Sequence, residues 1–401
     1  MKNWQRKILF FSLCLIFLIF GPILVFYSLG YRFDFEKRKV TKTGGIFIKA
    51  IPKEVEVSID GKIKKRTDSF FGSLLIDNLL PKKYKVRVTK EGYFPWEKEL
   101  EVEEEKVTEV KNLILFPENL NFYQILSDID QFWILPNGKE LILKEKNEEQ
   151  WVLKSYSLEK KIKSYLLSEE DFKKETEFLG LNFNENSEQI EIQLKIEEEI
   201  KNFLLNLKKI PPQIREKEEE IIPENVICFK KIEESEYFFE NSGYLLKNGR
   251  RLNNEPFSLI GDCRLRIFND WVFLETQGAL YFLKDAQFEK IFENLKGIEP
   301  SPGSKKLAIF SDYEIWLFEN GKNDFLNRFS EKIDKVYWFN EDYLILIFQN
   351  KIKLLETDKR DKINVYELKE LPGEDLSFSF QTKKIYFKKD GKLFETDPLL
   401  R

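Results

Sequence analysis

Histidine is missing from all 401 residues of this chain. Its absence removes the side chain most used as a general acid or base, and the commonest zinc ligand. Ser-His-Asp triads, Cys-His dyads and HExxH metal sites go with it. Cysteine is scarce, with three residues, too few and too scattered for a disulfide framework or a metal-binding spacing. No GxGxxG, GxxxxGK[ST] or GxSxG motif occurs, so nothing supports a nucleotide cradle or a serine-hydrolase elbow. No DxDxDG calcium loop is present either. An excess of basic charge is also lacking: Lys+Arg number 65 against 69 Asp+Glu, a net charge of -4. That balance argues against a nucleic-acid partner. The one SxxK match, Ser157-Leu158-Glu159-Lys160, follows a strand-like stretch. A catalytic pair needs the serine at a helix start, so we read this match as coincidence. With 69 acidic residues, carboxylate pairs for glycoside hydrolysis cannot be singled out by inspection. No catalytic, cofactor-binding or metal-ligating residue is assigned.

What is present starts with an uncharged run from Ile8 to Leu29. At about 1.5 Å per residue it crosses a bilayer core. Ile8, Phe17, Pro22 and Leu29 mark this membrane anchor, and Gly21-Pro22 is expected to kink it. A cleavable signal peptide would have a shorter apolar region and a small-x-small site. Val25-Phe26-Tyr27-Ser28-Leu29-Gly30 offers a poor one, so an uncleaved signal anchor is expected. Cys14 fails as a lipid-attachment site, because Leu13 precedes it and the apolar run continues beyond it. Lys2, Arg6 and Lys7 precede the run without an acid among them, which places the N-terminus in the cytoplasm and the following domains outside. Arg32 and Lys37 to Lys39 after the run weaken that orientation without reversing it.

Beyond residue 43 the period becomes two. Val55, Val57 and Ile59 alternate with polar residues and stop at Asp60-Gly61, a hairpin-turn dipeptide. Tyr84, Val86 and Val88 alternate likewise, as do Leu100 and Val102. Short alternating strands joined by turns imply a small antiparallel sandwich. Tyr93, Phe94 and Trp96 fit core packing at the strand ends better than an exposed aromatic patch. The order Ile51-Pro52, Val55 to Gly61, Leu80-Pro81, Tyr84 to Val88 and Lys90-Glu91-Gly92-Tyr93 resembles a PEGA domain. Such domains are envelope-associated β-sandwich modules, and the resemblance implies a role in surface or protein interaction. The naming tetrapeptide is represented here by Pro52-Lys53-Glu54-Val55, where only the proline matches.

The remainder repeats. Leu135-Pro136-Asn137-Gly138-Lys139-Glu140-Leu141-Ile142-Leu143 matches Ser301-Pro302-Gly303-Ser304-Lys305-Lys306-Leu307-Ala308-Ile309, and a tryptophan follows each, Trp151 and Trp316. The first strand residues after successive turns are Leu141, Ile190, Phe238, Val272, Leu307, Leu344 and Ile385, spaced 34 to 49 residues apart. Hairpin dipeptides recur at Asn248-Gly249, Asn320-Gly321 and Asp390-Gly391. One four-stranded unit cannot bury both faces, whereas about seven stacked radially can, so the period fits the blades of a β-propeller. An elongated array of sandwiches is the alternative, but it would show landmarks near every 70 residues. The Ser-Pro turn followed by Glu314-Ile315-Trp316-Leu317 is similar to TolB-like and WD40-like blades. Tyr343 to Phe348 reads as a fully buried inner strand, and Trp271, Trp316 and Trp338 as equivalent blade-core positions. Cys228 and Cys263 fit either one disulfide or two buried thiols.

The expected architecture is all-β: a cytoplasmic N-terminus at 1–7, a transmembrane helix at 8–29 and a linker at 30–43. A PEGA-like β-sandwich follows at 44–116, then a β-propeller of about seven blades at 117–401, with an irregular, partly helix-like insertion near 197–226 that contains the acidic run Arg215 to Glu220. The implied protein is a single-pass cell-membrane scaffold with its β domains outside. It needs no cofactor, touches the lipid bilayer through its helix, and binds an envelope protein or cell-surface polymer without catalysis. An envelope glycan-binding or glycan-hydrolysing propeller is the alternative.

Overall fold

The computed structural model describes residues 3–147, 150–183, 189–209, 211–218, 222–232, 234–259, 261–303 and 305–400. Lys2, Glu219, Glu220, Ser304 and Arg401 lie outside the described residues. Two compact units are present. The first is Met1–Asn119 with Lys359–Asn364 and Leu400–Arg401; the second is Leu120–Asp358 with Val365–Leu399.

The first unit opens with a helix, Asn3–Ser28, that runs through Pro22. Its apolar window is entirely exposed, and Ile8, Phe17 and Pro22 all lie on its bare surface. The helix stops one residue short of the expected anchor: Leu29 lies in the turn that follows, its amide donating to the Val25 carbonyl (3.0 Å). The stretch expected as a linker, 30–43, is an antiparallel hairpin of Tyr31–Asp34 with Lys39–Lys42. Its turn is held by the Asp34 carboxylate, which accepts the amides of Glu36 (2.9 Å) and Lys37 (3.1 Å). A side chain competing for nearby amides is what favours aspartate at such turns.

The sandwich pairs a four-stranded sheet, in the order Ile63–Arg66, Glu56–Ile59, Lys83–Thr89 and Trp96–Glu101, with a three-stranded one. The latter is ordered Ser73–Leu79, Gly44–Ile51, Val107–Ile114. Inward residues of both sheets, among them Ile46, Ile48, Val57, Val86, Val88 and Trp96, form one closed core. Trp96 is fully buried there, as core packing required. The expectation of purely antiparallel pairing is corrected: Gly44–Ile51 runs parallel to Val107–Ile114. A parallel pair needs a long crossover, which the intervening four-stranded sheet supplies. Lys98 is also fully buried, on the same face as Trp96 and Leu100, and its ammonium donates to the Arg360 carbonyl (3.0 Å).

The second unit is built from seven four-stranded antiparallel sheets, and the seventh closes the ring. Blades one to six are consecutive, spanning 129–168, 176–216, 226–251, 264–292, 297–328 and 335–367. Blade seven takes Glu374–Ser379, Lys384–Lys389 and Lys392–Thr396 from the end of the chain, and its fourth strand, Phe122–Leu126, from the start of the unit. Phe122 packs edge-on against Phe387 (5.5 Å) and Phe394 (6.0 Å), which stack on each other at 5.3 Å. Joining first strand to last removes two edges that would otherwise stand open.

All seven repeat anchors fall on the second strand of a blade. That strand is flanked by a sheet neighbour on each side and keeps buried apolar residues in every blade, so it carries the strongest apolar signal. The same physics corrects Tyr343–Phe348: all six residues are buried, yet the strand is second in its blade, and Lys335–Asn340 is the inner one. Trp271, Trp316 and Trp338 are not equivalent either, since they sit on second, third and first strands. The expected helix-like insertion near 197–226 is corrected where the structure describes it, since two of its segments are regular strands. Glu199–Asn206 and Gln213–Glu216 are the third and fourth strands of blade two, and Arg215 of the acidic run pairs with Leu204. At Asn248-Gly249, Asn320-Gly321 and Asp390-Gly391 both residues have positive φ, the geometry a two-residue hairpin turn requires.

Candidate functional site

Each blade's inner strand has a sheet neighbour on one side only, and its free edge faces the axis of the ring. Such strands can present polar and charged side chains to the space around the axis. Ile129–Ile134, Gly297–Pro300, Lys335–Asn340 and Glu374–Ser379, the inner strands of blades one, five, six and seven, line a cavity of about 910 Å³. Trp133, Tyr337 and Phe378 give it aromatic walls, and Phe380, 40% exposed, stands beside Pro136 and Pro302 of the turns following the inner strands. Glu299, Lys335 and Asp375 supply its charge.

Glu299 is the unusual member. Its backbone is fixed by Trp338, whose indole N–H donates to the Glu299 carbonyl (2.8 Å). Its carboxyl has no hydrogen bond or ion pair among the described residues, and the residue lines the cavity. Burial pushes this carboxyl up to about 7, against the weaker opposing pull of Arg266, because charge is disfavoured where water is displaced by protein. Burial likewise raises the Tyr337 hydroxyl to about 12, partly offset by a hydrogen bond with Ser377. Lys335 is lowered by burial, with Asp375 and Asp334 acting the other way. Its ammonium donates to the Leu376 carbonyl (3.1 Å) and to Ser377 Oγ (3.4 Å).

A second cavity, about 610 Å³, is lined from blades two, three and four and is basic in character, with Lys217, Lys230, Arg264 and Arg266. Two of these are neutralised locally: Lys217 pairs with Glu191 (2.9 Å) and Arg266 with Glu275 (3.0 Å). Cys228 and Cys263 line the same cavity and are joined in a disulfide, their Cα atoms 5.7 Å apart. The bond ties the inner strand of blade three, Val226–Ile232, to the residue preceding the inner strand of blade four, Arg264–Phe268.

The arrangement is one of binding surfaces. Aromatic faces stack on flat or hydroxylated groups, and an unpartnered carboxyl near neutrality accepts a cation or a hydrogen bond. Among the described residues no group of three Asp, Glu or Cys is placed to hold a metal ion. Trp338, expected in a blade core, is 5% exposed and also lines the first cavity. Glu299 was missed. Its available signal was an acid between Ile298 and Pro300, just before the Ser301-Pro302 turn of a repeat and therefore on an inner strand.

Residues 43–114 match the PEGA domain model. No curated protein matches the chain. Among solved structures, the chain is similar to a component of a mitotic checkpoint complex (9% identity, TM-score 0.43, covering 70% of this chain and 94% of that one). It is similar also to the Cps50 (Swd1) β-propeller domain of Myceliophteria thermophila (9%, TM-score 0.43, 68% and 98%). A third likeness is to an oligogalacturonate lyase in complex with manganese (10%, TM-score 0.40, 70% and 91%).

Proposed function

We propose that this chain is a membrane-anchored, extracytoplasmic scaffold that binds an envelope protein or surface polymer in the axial cavity of its propeller, without catalysis. The observation that carries the reading is the conjunction, in one cavity, of aromatic walls with a carboxyl that no protein group satisfies. The PEGA match supports an interaction module outside the cell. The helix Trp4–Ser28, long and apolar enough to cross a membrane, supports the anchor. Three basic residues at the cytoplasmic end, Lys2, Arg6 and Lys7, support the orientation. The disulfide suits an oxidising compartment.

Glycan binding or hydrolysis is a second reading, favoured by one observation: Glu299 and Asp375 place two carboxyls on the same aromatic-walled cavity. Purified full chain in detergent, offered envelope extract and cell-wall polysaccharide, separates the two. Capture of a defined envelope component by the wild type, lost in Trp133→Ala and Glu299→Ala, together with no release of sugar, supports the scaffold. Turnover abolished by Glu299→Gln supports the hydrolase. Orientation is tested by a reporter fused after residue 401: activity confined to the cytoplasm rejects it.

A further inference from the structure

The hairpin that follows the helix has its polarity reversed. Its inner face is polar: Asp34 and Thr41 are buried, Thr41 bonds to Glu104, and Lys39, across from Asp34, is exposed and ion-paired with Glu104 (3.5 Å). Arg32, on the same face, donates to the carbonyls of Tyr27 (2.7 Å) and Tyr31 (2.8 Å) and to Asn78 Oδ1 (2.7 Å). Its guanidinium also lies 3.4 Å from the Tyr27 ring centroid. One residue thus fastens the end of the helix to the hairpin and to the sandwich. The outer face is apolar and bare at Phe33 and Val40, and its remaining cross-strand pair is the half-buried Tyr31 with Lys42, which is ion-paired with Glu105. Phe33 and Val40 are cross-strand partners, 47% and 61% exposed, and Phe35 at the turn is 82% exposed with its ring 5.0 Å from Phe33. A half-buried antiparallel hairpin in water shows the opposite pattern, and a contiguous apolar surface of this kind marks a contact site.

Its neighbour identifies the occupant. Tyr31, on the same outer face, meets Phe26 of the helix edge-on at 5.4 Å, so the bare surface of the helix passes without a break onto the hairpin. Lys37 and Arg38 stand on the turn. Lys37 donates to the Pro81 carbonyl (3.2 Å), while Arg38 has no partner among the described residues. Aromatic and cationic side chains at the end of an apolar span are the mix that settles at a membrane–water boundary.

We propose that the hairpin 31–42 lies in the bilayer interface, its Phe33, Phe35 and Val40 face immersed among lipid and Arg38 directed to anionic headgroups. This inference rests on the reading of Trp4–Ser28 as a membrane span. It gives Arg38 a role as a lipid ligand, while Arg32, Lys37 and Lys39 are engaged by Asn78, the Pro81 carbonyl and Glu104.

The test uses the full chain in vesicles of phosphatidylethanolamine and phosphatidylglycerol. In a Cys14→Ser background, Phe35→Cys, Val40→Cys and, as a control, the exposed Lys64→Cys are labelled with an environment-sensitive fluorophore. The Cys228–Cys263 disulfide stays oxidised. Labels at 35 and 40 are expected to be quenched by spin-labelled lipid at a depth of about 5–10 Å, and the label at 64 only by aqueous iodide. Adding Arg38→Glu should lessen lipid quenching at 40. If 35 and 40 respond to iodide alone while a label on native Cys14 responds to lipid, the anchor stands and the interface proposal falls. If Cys14 does not respond to lipid, the anchor itself fails. Shielding of 35 from both quenchers, with crosslinking between Phe35→Cys copies, would instead mean that a second copy covers the hairpin, and would overturn the proposal.

Discussion

Replacing Glu299 by glutamine should stabilise the propeller in a pH-dependent way. The carboxyl is carried from its ordinary 4.5 up to about 7 by burial. At about 1.4 kcal/mol per pH unit, that difference amounts to about 3 kcal/mol of folding free energy. The sign follows from proton counting. Below about pH 4.5 folded and unfolded chains both hold the proton, and Glu299 is neutral towards stability. Between about pH 4.5 and 7 the folded chain keeps a proton the unfolded chain has released, so stability falls as pH rises, and above about pH 7 the loss is complete. Glutamine keeps the shape without the charge. Glu299→Gln should therefore match the wild type near pH 4 and exceed it by about 3 kcal/mol near pH 8. Urea unfolding of the full chain in detergent, followed by tryptophan fluorescence, is a suitable assay, since Trp133, Trp151, Trp271, Trp316 and Trp338 all lie in the propeller. A constant offset between the two proteins at every pH would refute the reasoning. Destabilisation near pH 8 would do so more sharply, because it would mean an ionised, satisfied carboxylate.

Three further outcomes are expected. The paired change Cys228→Ser with Cys263→Ser releases a cross-link across 35 residues and should cost about 2–4 kcal/mol, and reduction should bring the wild type to the same urea midpoint. Phe387→Ala removes a fully buried ring from the closing blade and should cost about 3–5 kcal/mol, seen as a lower thermal midpoint with a broader transition. Gly44→Ala would place a methyl carbon 2.2 Å from the Glu103 carbonyl oxygen. Backbone has no room to yield there, so the sandwich should lose about 1–3 kcal/mol and become sensitive to proteolysis near residue 103.

How much of this was legible in the residues follows from burial. Leu141, Ile190 and the other anchors were readable because each second strand keeps a regularly spaced set of buried apolar residues, on both faces in Tyr343–Phe348 and on alternate positions in Gln189–Ile196, and that pattern survives without any alignment. Inner strands were not readable: Lys335, Tyr337 and Glu299 mix with apolar neighbours, since one edge faces a cavity. Glu199–Asn206 misled because Ile200, Phe203 and Leu204 fall at helical spacing, although the buried pair is Phe203 and Leu205, at a period of two. The hairpin after the helix was read as a linker because its strands are only four residues each and rich in lysine and arginine. Lys98 shows the limit of the alternation rule. Its place between Trp96 and Leu100 predicts an inward side chain, and only the fold supplies the carbonyl that makes this tolerable.

The pairing of Phe122–Leu126 with Lys392–Thr396 also governs how the molecule comes into being. Phe122 meets Thr396 about 270 residues later in the chain, so the ring cannot shut until Lys392–Thr396 has been made. Until then the nascent propeller is an open stack with an unpaired aromatic strand at its leading edge, the state in which β proteins are most exposed to mispairing. A ribosome stalled short of residue 392 would hold six complete blades and no closed ring. Correct closure of such a chain depends on its own Lys392–Thr396 strand arriving before a neighbouring copy's does.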